Sequence, residues 1–159
     1  MNKAALVKKI IAHLDKDLDL YSKAARAAHA EATHEQSKAE NKYDTRGLEA
    51  AYLARGQSRQ AAEILQARDE FAKLDLKPFG PKDPIALSAL VELEGDGERT
   101  FYFVGPRAGG TEISHDKKMI LVITSSSPLG GQLDGKKAGD RLELAFGGSK
   151  SIYRIVAVS

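Results

Sequence analysis

All five prolines and 12 of the 14 glycines lie beyond residue 76, and only Gly47 and Gly56 interrupt what comes before. No other feature constrains the fold as much. Proline removes a backbone donor, and glycine costs conformational entropy inside a helix. A long stretch nearly free of both, and rich in Ala, Lys, Glu, Gln, Arg and Leu, is suited to helix. The run Lys77-Pro78-Phe79-Gly80-Pro81-Lys82-Asp83-Pro84 then punctuates the chain, and β-branched and aromatic residues alternate with glycine-rich turns after it. The expected organisation is a helical domain over 1–76, a linker over 77–84 and a sheet domain over 85–159.

Within the helical part, apolar residues recur every three or four positions: Leu6, Ile10, Leu14, Leu18, Tyr21, Ala25, Ala28 and Ala32. This is close to a heptad seam, and it thins from Leu and Ile to Ala. A second stripe reads Leu48, Tyr52, Ala61, Ile64 or Leu65, Arg68, Phe71 and Leu74. Residues 35–47 between them carry no apolar period, and Asp44 or Thr45 is placed to cap the second helix. A helix with an apolar stripe must bury it, so the expected arrangement is an antiparallel hairpin, a two-helix coiled coil. At about 1.5 Å per residue the second helix makes a rod on the order of 40 Å long. Such an arm is better suited to reaching than to enclosing a site.

The second part predicts about five antiparallel strands. Residues 85–94 end in alternation, Gly95-Asp96-Gly97 is a turn, and 99–104 is its hairpin partner. Residues 118–124 are a continuous apolar run and hence a central strand, and 141–145 and 151–158 flank a glycine turn. Pro128 at a first-turn position, with Gly135 after Leu133, predicts one short helix. The fold class is therefore α+β.

Composition removes several function classes. With no cysteine there is no disulfide scaffold, thiolate zinc site or cysteine nucleophile. A formal net charge of +2 is too small for a strongly cationic nucleic-acid coat, although it allows a local basic patch. With no Trp and 6% aromatics, a base-stacking platform is not expected. No apolar run approaches the roughly 18 residues of a membrane span. Lys8, Lys9, His13 and Asp15 break up any signal-peptide core, so a cytoplasmic protein with no membrane partner is expected.

Four segments together resemble a known family: Ser126-Ser127-Pro128-Leu129-Gly130, Leu133-Asp134-Gly135-Lys136, Gly139-Asp140-Arg141-Leu142-Glu143-Leu144 and Tyr153-Arg154-Ile155. They are similar to the C-terminal FKBP-like domain of Gre-type bacterial transcription elongation factors, and the preceding helical hairpin extends the resemblance over the whole chain. It implies an FKBP-like domain that docks on RNA polymerase near the secondary channel, with Ser127, Pro128, Leu129 and Gly130 as partner-binding residues. It also implies a hairpin that enters the channel toward the catalytic Mg²⁺. The factor would carry no cofactor of its own and would not be an independent enzyme. It would contact DNA only indirectly, through the polymerase.

The family's cleavage factors carry G-D-L-S-E-N-A-E-Y at the hairpin tip, whose Asp and Glu help hold a second Mg²⁺. Here the stretch is Asp44-Thr45-Arg46-Gly47-Leu48-Glu49-Ala50-Ala51-Tyr52, and the Asp-to-Glu spacing grows to five. Residues three apart on a helix share a face and residues five apart do not. Phosphoryl chemistry at a metal needs carboxylates aimed at one Mg²⁺ with water completing the octahedron. Asp44 and Glu49 are the candidate catalytic and metal-assisting pair, with Glu40 next. The plainer reading makes Asp44 a cap and Glu49 an ordinary first-turn acid. Lys38, Lys42, Arg46, Arg55 and Arg59 surround the tip. They either contact the RNA 3′ segment through its phosphates or form a solvated face.

Other signals are weaker. Residues 130–137 approach a phosphate-binding loop, but Lys137 stands where Ser or Thr is required. His13, His29, His34 and His115 have no metal-ligand spacing. Ser125-Ser126-Ser127 lacks the context of a nucleophile elbow. Three functions follow. The first is a channel-entering modulator of elongation that also stimulates cleavage of backtracked RNA. The second is the same docking without cleavage. The third, least favoured, takes the FKBP-like fold as a prolyl isomerase, which needs an aromatic-lined pocket from Phe79, Phe101, Tyr102, Phe103, Phe146 and Tyr153.

Overall fold

The computed structural model describes residues 1–34 and 38–159. Glu35, Gln36 and Ser37, which open the aperiodic stretch, lie outside the described residues. Helix α1 (Lys3–Thr33) and helix α2 (Arg46–Ala72) are followed by strands β1 (Leu90–Gly95), β2 (Glu98–Val104), β3 (Glu112–His115) and β4 (Lys118–Ile123). The short helix α3 (Pro128–Leu133) and strands β5 (Arg141–Phe146) and β6 (Ser149–Val158) complete the order. The chain forms two compact units, one of residues 11–69 and the other of residues 1–10 with 70–159, so each long helix contributes to both.

In the helical unit the two helices run antiparallel. Asp15 in the first half of α1 meets Arg68 near the end of α2 at 2.9 Å, whereas Ala25 to Thr33 face Ala51 to Ser58 around one cavity. The seam is Leu14, Ala25 and Ala28 against Ala54, Ile64 and Ala67, all buried. Alanines at one end permit close backbone approach, as their spacing predicts. The first part of the second stripe departs from the expected phase, whereas Ile64 and Phe71 are buried as expected. Leu48 is 58% exposed and Tyr52 65% exposed. The buried row on α2 passes through Ala54, not Tyr52, and two positions along a helix is a turn of about 200°. The smaller side chains take the seam because they let the helices close.

In the other unit the six strands form one sheet in the order β3-β4-β2-β1-β6-β5. The expected hairpins are present: Leu93 pairs with Thr100, and Leu144 with Ser151. Two features were not expected. β2 and β4 are parallel, with Phe103 opposite Val122. β3 is a sixth strand of four residues, joined to β4 through Asp116 and Lys117, both at positive φ of 51° and 61°. Four residues without glycine at the turn carry too little period to be read from sequence.

Side chains alternate across the sheet. One face packs Val91, Leu93, Val104, Ile123, Leu142, Leu144 and Ile155 with Leu133 of α3. The alternate residues Phe103, Ile120 and Val122 are fully buried, as are Phe71 at the end of α2 and Leu6 and Ile10 at the start of α1. The rings of Phe71 and Phe103 stack at 6.4 Å. Segment 77–84 is hydrogen-bonded within this unit. Lys3 Nζ donates to the carbonyls of Lys77 and Ser88 and lies 4.8 Å from the Phe79 ring centroid. The Lys77 N–H donates to Ser88 Oγ at 3.1 Å. Partial burial pulls the Lys3 ammonium below its ordinary pKa.

Candidate functional site

The turn ahead of α2 is built on Asp44. Its N–H donates to the Asn41 carbonyl at 3.1 Å, and Asn41 Oδ1 accepts from the Tyr43 N–H at 2.8 Å. Its carboxylate then collects donors. The Glu40 N–H reaches Oδ2 at 3.2 Å, and the Arg46 N–H reaches Oδ1 at 3.3 Å. The Arg46 guanidinium closes the set as a fork, with Nε on Oδ1 and Nη2 on Oδ2, each at 3.2 Å. The side chain of Asp44 is left 12% exposed. Its position before the first turn of α2 suits an anion, because unpaired helix N–H groups point there. The Arg46 fork, followed by the two backbone donors, holds its pKa down to about 2 from an ordinary 3.8.

Glu49 lies in the first turn of α2 and is exposed. It accepts a hydrogen bond from the Thr45 hydroxyl at 2.8 Å, while its own N–H makes the first helical bond to the Thr45 carbonyl at 2.8 Å. The two acids predicted from sequence thus have different local partners: Asp44 is held by Arg46 and Glu49 by Thr45. Glu40 lies 3.8 Å from Arg46 as well. Among the described residues no three His, Cys, Asp or Glu side chains group as a metal site. A Mg²⁺ held elsewhere could recruit Glu49 by exchanging one hydroxyl contact. Recruiting Asp44 requires Arg46 to leave, so Asp44 as found is a poor fit to a metal ligand.

The surrounding cations divide. Arg46 is committed to Asp44, Lys42 Nζ sits 5.0 Å from the Tyr43 ring centroid, and Arg59 is 3.9 Å from Glu63. Tyr43 is 79% exposed.

In the sheet unit, Ser127 caps α3. Its Oγ accepts from the Gly130 N–H at 3.1 Å and donates to the Thr124 carbonyl at 2.7 Å, and Pro128 takes the first helical position. A Cβ on Gly130 would fall 1.9 Å from the Thr124 carbonyl oxygen, so only glycine lets α3 lie this close to the strand end. Ser127, Pro128 and Leu129 line a mainly apolar cavity of about 560 Å³ with Tyr102, Leu121 and Leu144. Of Phe79, Phe101, Tyr102, Phe103 and Tyr153, Tyr102 is the one that lines it. Gly130 is buried beneath.

No family model matches the chain. It is 32% identical over 118 residues to the transcription inhibitor protein Gfh1 of Thermus aquaticus, which spans 73% of this chain and 71% of that protein. The chain belongs to the Gre-type transcription factor family. Two solved structures are similar to this Gre-type chain. Gfh1, GreA factor homolog 1, of Thermus thermophilus has 24% identity over 94% of each chain and a TM-score of 0.39. A GreA/GreB elongation factor from Nitrosomonas europaea has 20% identity over 60% of this chain and 78% of its own, with a TM-score of 0.40.

The sequence places Arg46 among cations that either contact RNA phosphates or form a solvated face, and does not pair it with Asp44. The available signal was spacing: an acid just before a helix and an Arg two residues on can close a turn through a guanidinium fork.

Proposed function

We propose that this Gre-type protein binds RNA polymerase, docks through the groove beside residues 127–130, and inserts its helical hairpin into the secondary channel. There it regulates transcription without supplying a metal ligand. It acts as an accessory factor on a partner's active site, and its cations near the tip can meet RNA phosphates in that channel. The observation that carries this reading is the Arg46 fork on Asp44. A carboxylate already satisfied by four donors gains little from approaching a metal and must first give up a charge-assisted pair. The relative at 32% identity is itself named a transcription inhibitor.

The test is a stalled, backtracked elongation complex supplied with Mg²⁺ and the protein. Slowed RNA extension without shortening of the transcript is expected. Transcript shortening that disappears in Asp44→Ala or Glu49→Ala would overturn the reading.

The exposure of Glu49 favours a second reading, in which Glu49 and Asp44 steady a Mg²⁺ of the polymerase and cleavage follows. In that case the Arg46 pair must open in the channel, and Arg46→Ala would raise cleavage. If Arg46→Ala leaves the transcript uncut, the second reading fails.

A further inference from the structure

The helical unit holds a second feature with chemistry of its own. A cavity of about 850 Å³ opens between α1 and α2, lined by Ala25, Arg26, His29, Ala30, Ala32 and Thr33 from one helix and Ala51, Ala54, Arg55 and Ser58 from the other. Spacing explains the arrangement. Arg26, His29 and Thr33 fall at i, i+3 and i+7 on one face of α1, and Ala51, Arg55 and Ser58 at i, i+4 and i+7 on one face of α2. Seam alanines Ala25 and Ala54 and long polar side chains from both helices line it together.

None of the lining residues is acidic. Other cations of this unit have found carboxylates: Arg46 on Asp44, Arg68 on Asp15, and Lys23 on Asp19 at 2.8 Å. Among the described residues, Arg26 and Arg55 have no ion pair and no side-chain hydrogen bond. Arg55 is also one helical turn from Arg59, and like charges four residues apart repel. Two uncompensated guanidiniums, one from each helix, with an imidazole and a serine hydroxyl in the same lining, are donors waiting for an anion. Guanidinium binds phosphate oxygens through paired N–H groups.

The lining narrows the ligand. A single-stranded nucleic-acid track needs aromatic faces for stacking, and this cavity has none. Guanidinium, imidazole and hydroxyl groups that line one cavity from both helices suit a highly charged anion. We infer that the cavity between α1 and α2 binds a phosphoanhydride anion, clamped between Arg26 and His29 on one side and Arg55 and Ser58 on the other. Pyrophosphate and the phosphate tail of a nucleoside triphosphate present the same chemistry.

The test uses the full chain alone, so it stands or falls apart from polymerase binding. The protein is titrated with inorganic pyrophosphate, with a nucleoside triphosphate, and with a short single-stranded RNA bearing no terminal phosphate, all free of Mg²⁺ at low salt. Amide chemical shifts are followed by NMR. Saturable binding is expected for the first two, with shifts centred on Arg26, His29, Arg55 and Ser58. Arg26→Gln and Arg55→Gln, both at exposed positions, should each weaken binding about tenfold while leaving the circular dichroism spectrum unchanged. Equal affinities for pyrophosphate and triphosphate would mean that only the anhydride is read, and tighter triphosphate binding that the nucleoside is also touched. Absence of saturable binding, indifference to both substitutions, or equal competition by the RNA without a terminal phosphate would overturn the proposal.

Discussion

The guanidinium of Arg46 spans both carboxylate oxygens of Asp44, at 3.2 Å on each side, two residues away along the chain. This pair, with two backbone donors, makes the residue that the family resemblance nominates as a metal ligand the keystone of a turn. The distinction can be measured, because a carboxylate held by a cation titrates differently from a free one.

Arg46→Ala should return the Asp44 pKa from about 2 toward the ordinary 3.8. In the intact protein the folded pKa is the lower one. The stability this pair contributes is therefore present above the ordinary carboxylate pKa and lost as pH falls from about 4 toward about 2. Carboxyl carbon shifts followed by NMR across that window, in the two proteins, check both the shift and its sign.

Gly130→Ala should destabilise the protein by about 3 kcal/mol, since the new methyl has no room beside a backbone carbonyl that cannot yield cheaply. Ser127→Ala removes the cap without adding bulk and should cost about 1 kcal/mol. Denaturant midpoints for the two variants, compared at one slope, give the order.

The seam of the helical unit makes a contrast within one helix. Ile64 is 8% exposed and Tyr52 65%. Ile64→Ala should cost about 2–5 kcal/mol, whereas Tyr52→Ser and Leu48→Ser should stay within about 0.5 kcal/mol. If Tyr52→Ser proves as costly as Ile64→Ala in thermal unfolding, the seam has been assigned to the wrong face.

Phe71→Ala should cost about 3–5 kcal/mol, because the ring is 1% exposed and stacked on Phe103. Its edge also fills the space where a Cβ on Gly105 would lie 2.7 Å from Cζ. Gly105→Ala alone should destabilise by crowding that ring, and pairing it with Phe71→Leu should recover part of the loss. A double-mutant cycle reads the coupling directly.

The linear chain already determined where helix and strand would form, with the four-residue β3 as the exception. Ala, Leu and charged residues without proline make α1 and α2, glycine turns separate β1 from β2 and β5 from β6, and Ser127-Pro128 starts α3. Those outcomes depend on neighbours a few positions away, so they leave a period or a punctuation mark in the sequence. Three things were decided only in three dimensions: the parallel pairing of β2 with β4, the choice of Ala54 over Tyr52 for the seam, and the facing of Arg26 and Arg55 across one cavity. Each depends on which surfaces approach once the chain is compact. Burial and charge pairing follow distance in space, and that distance is set by the packing of whole elements.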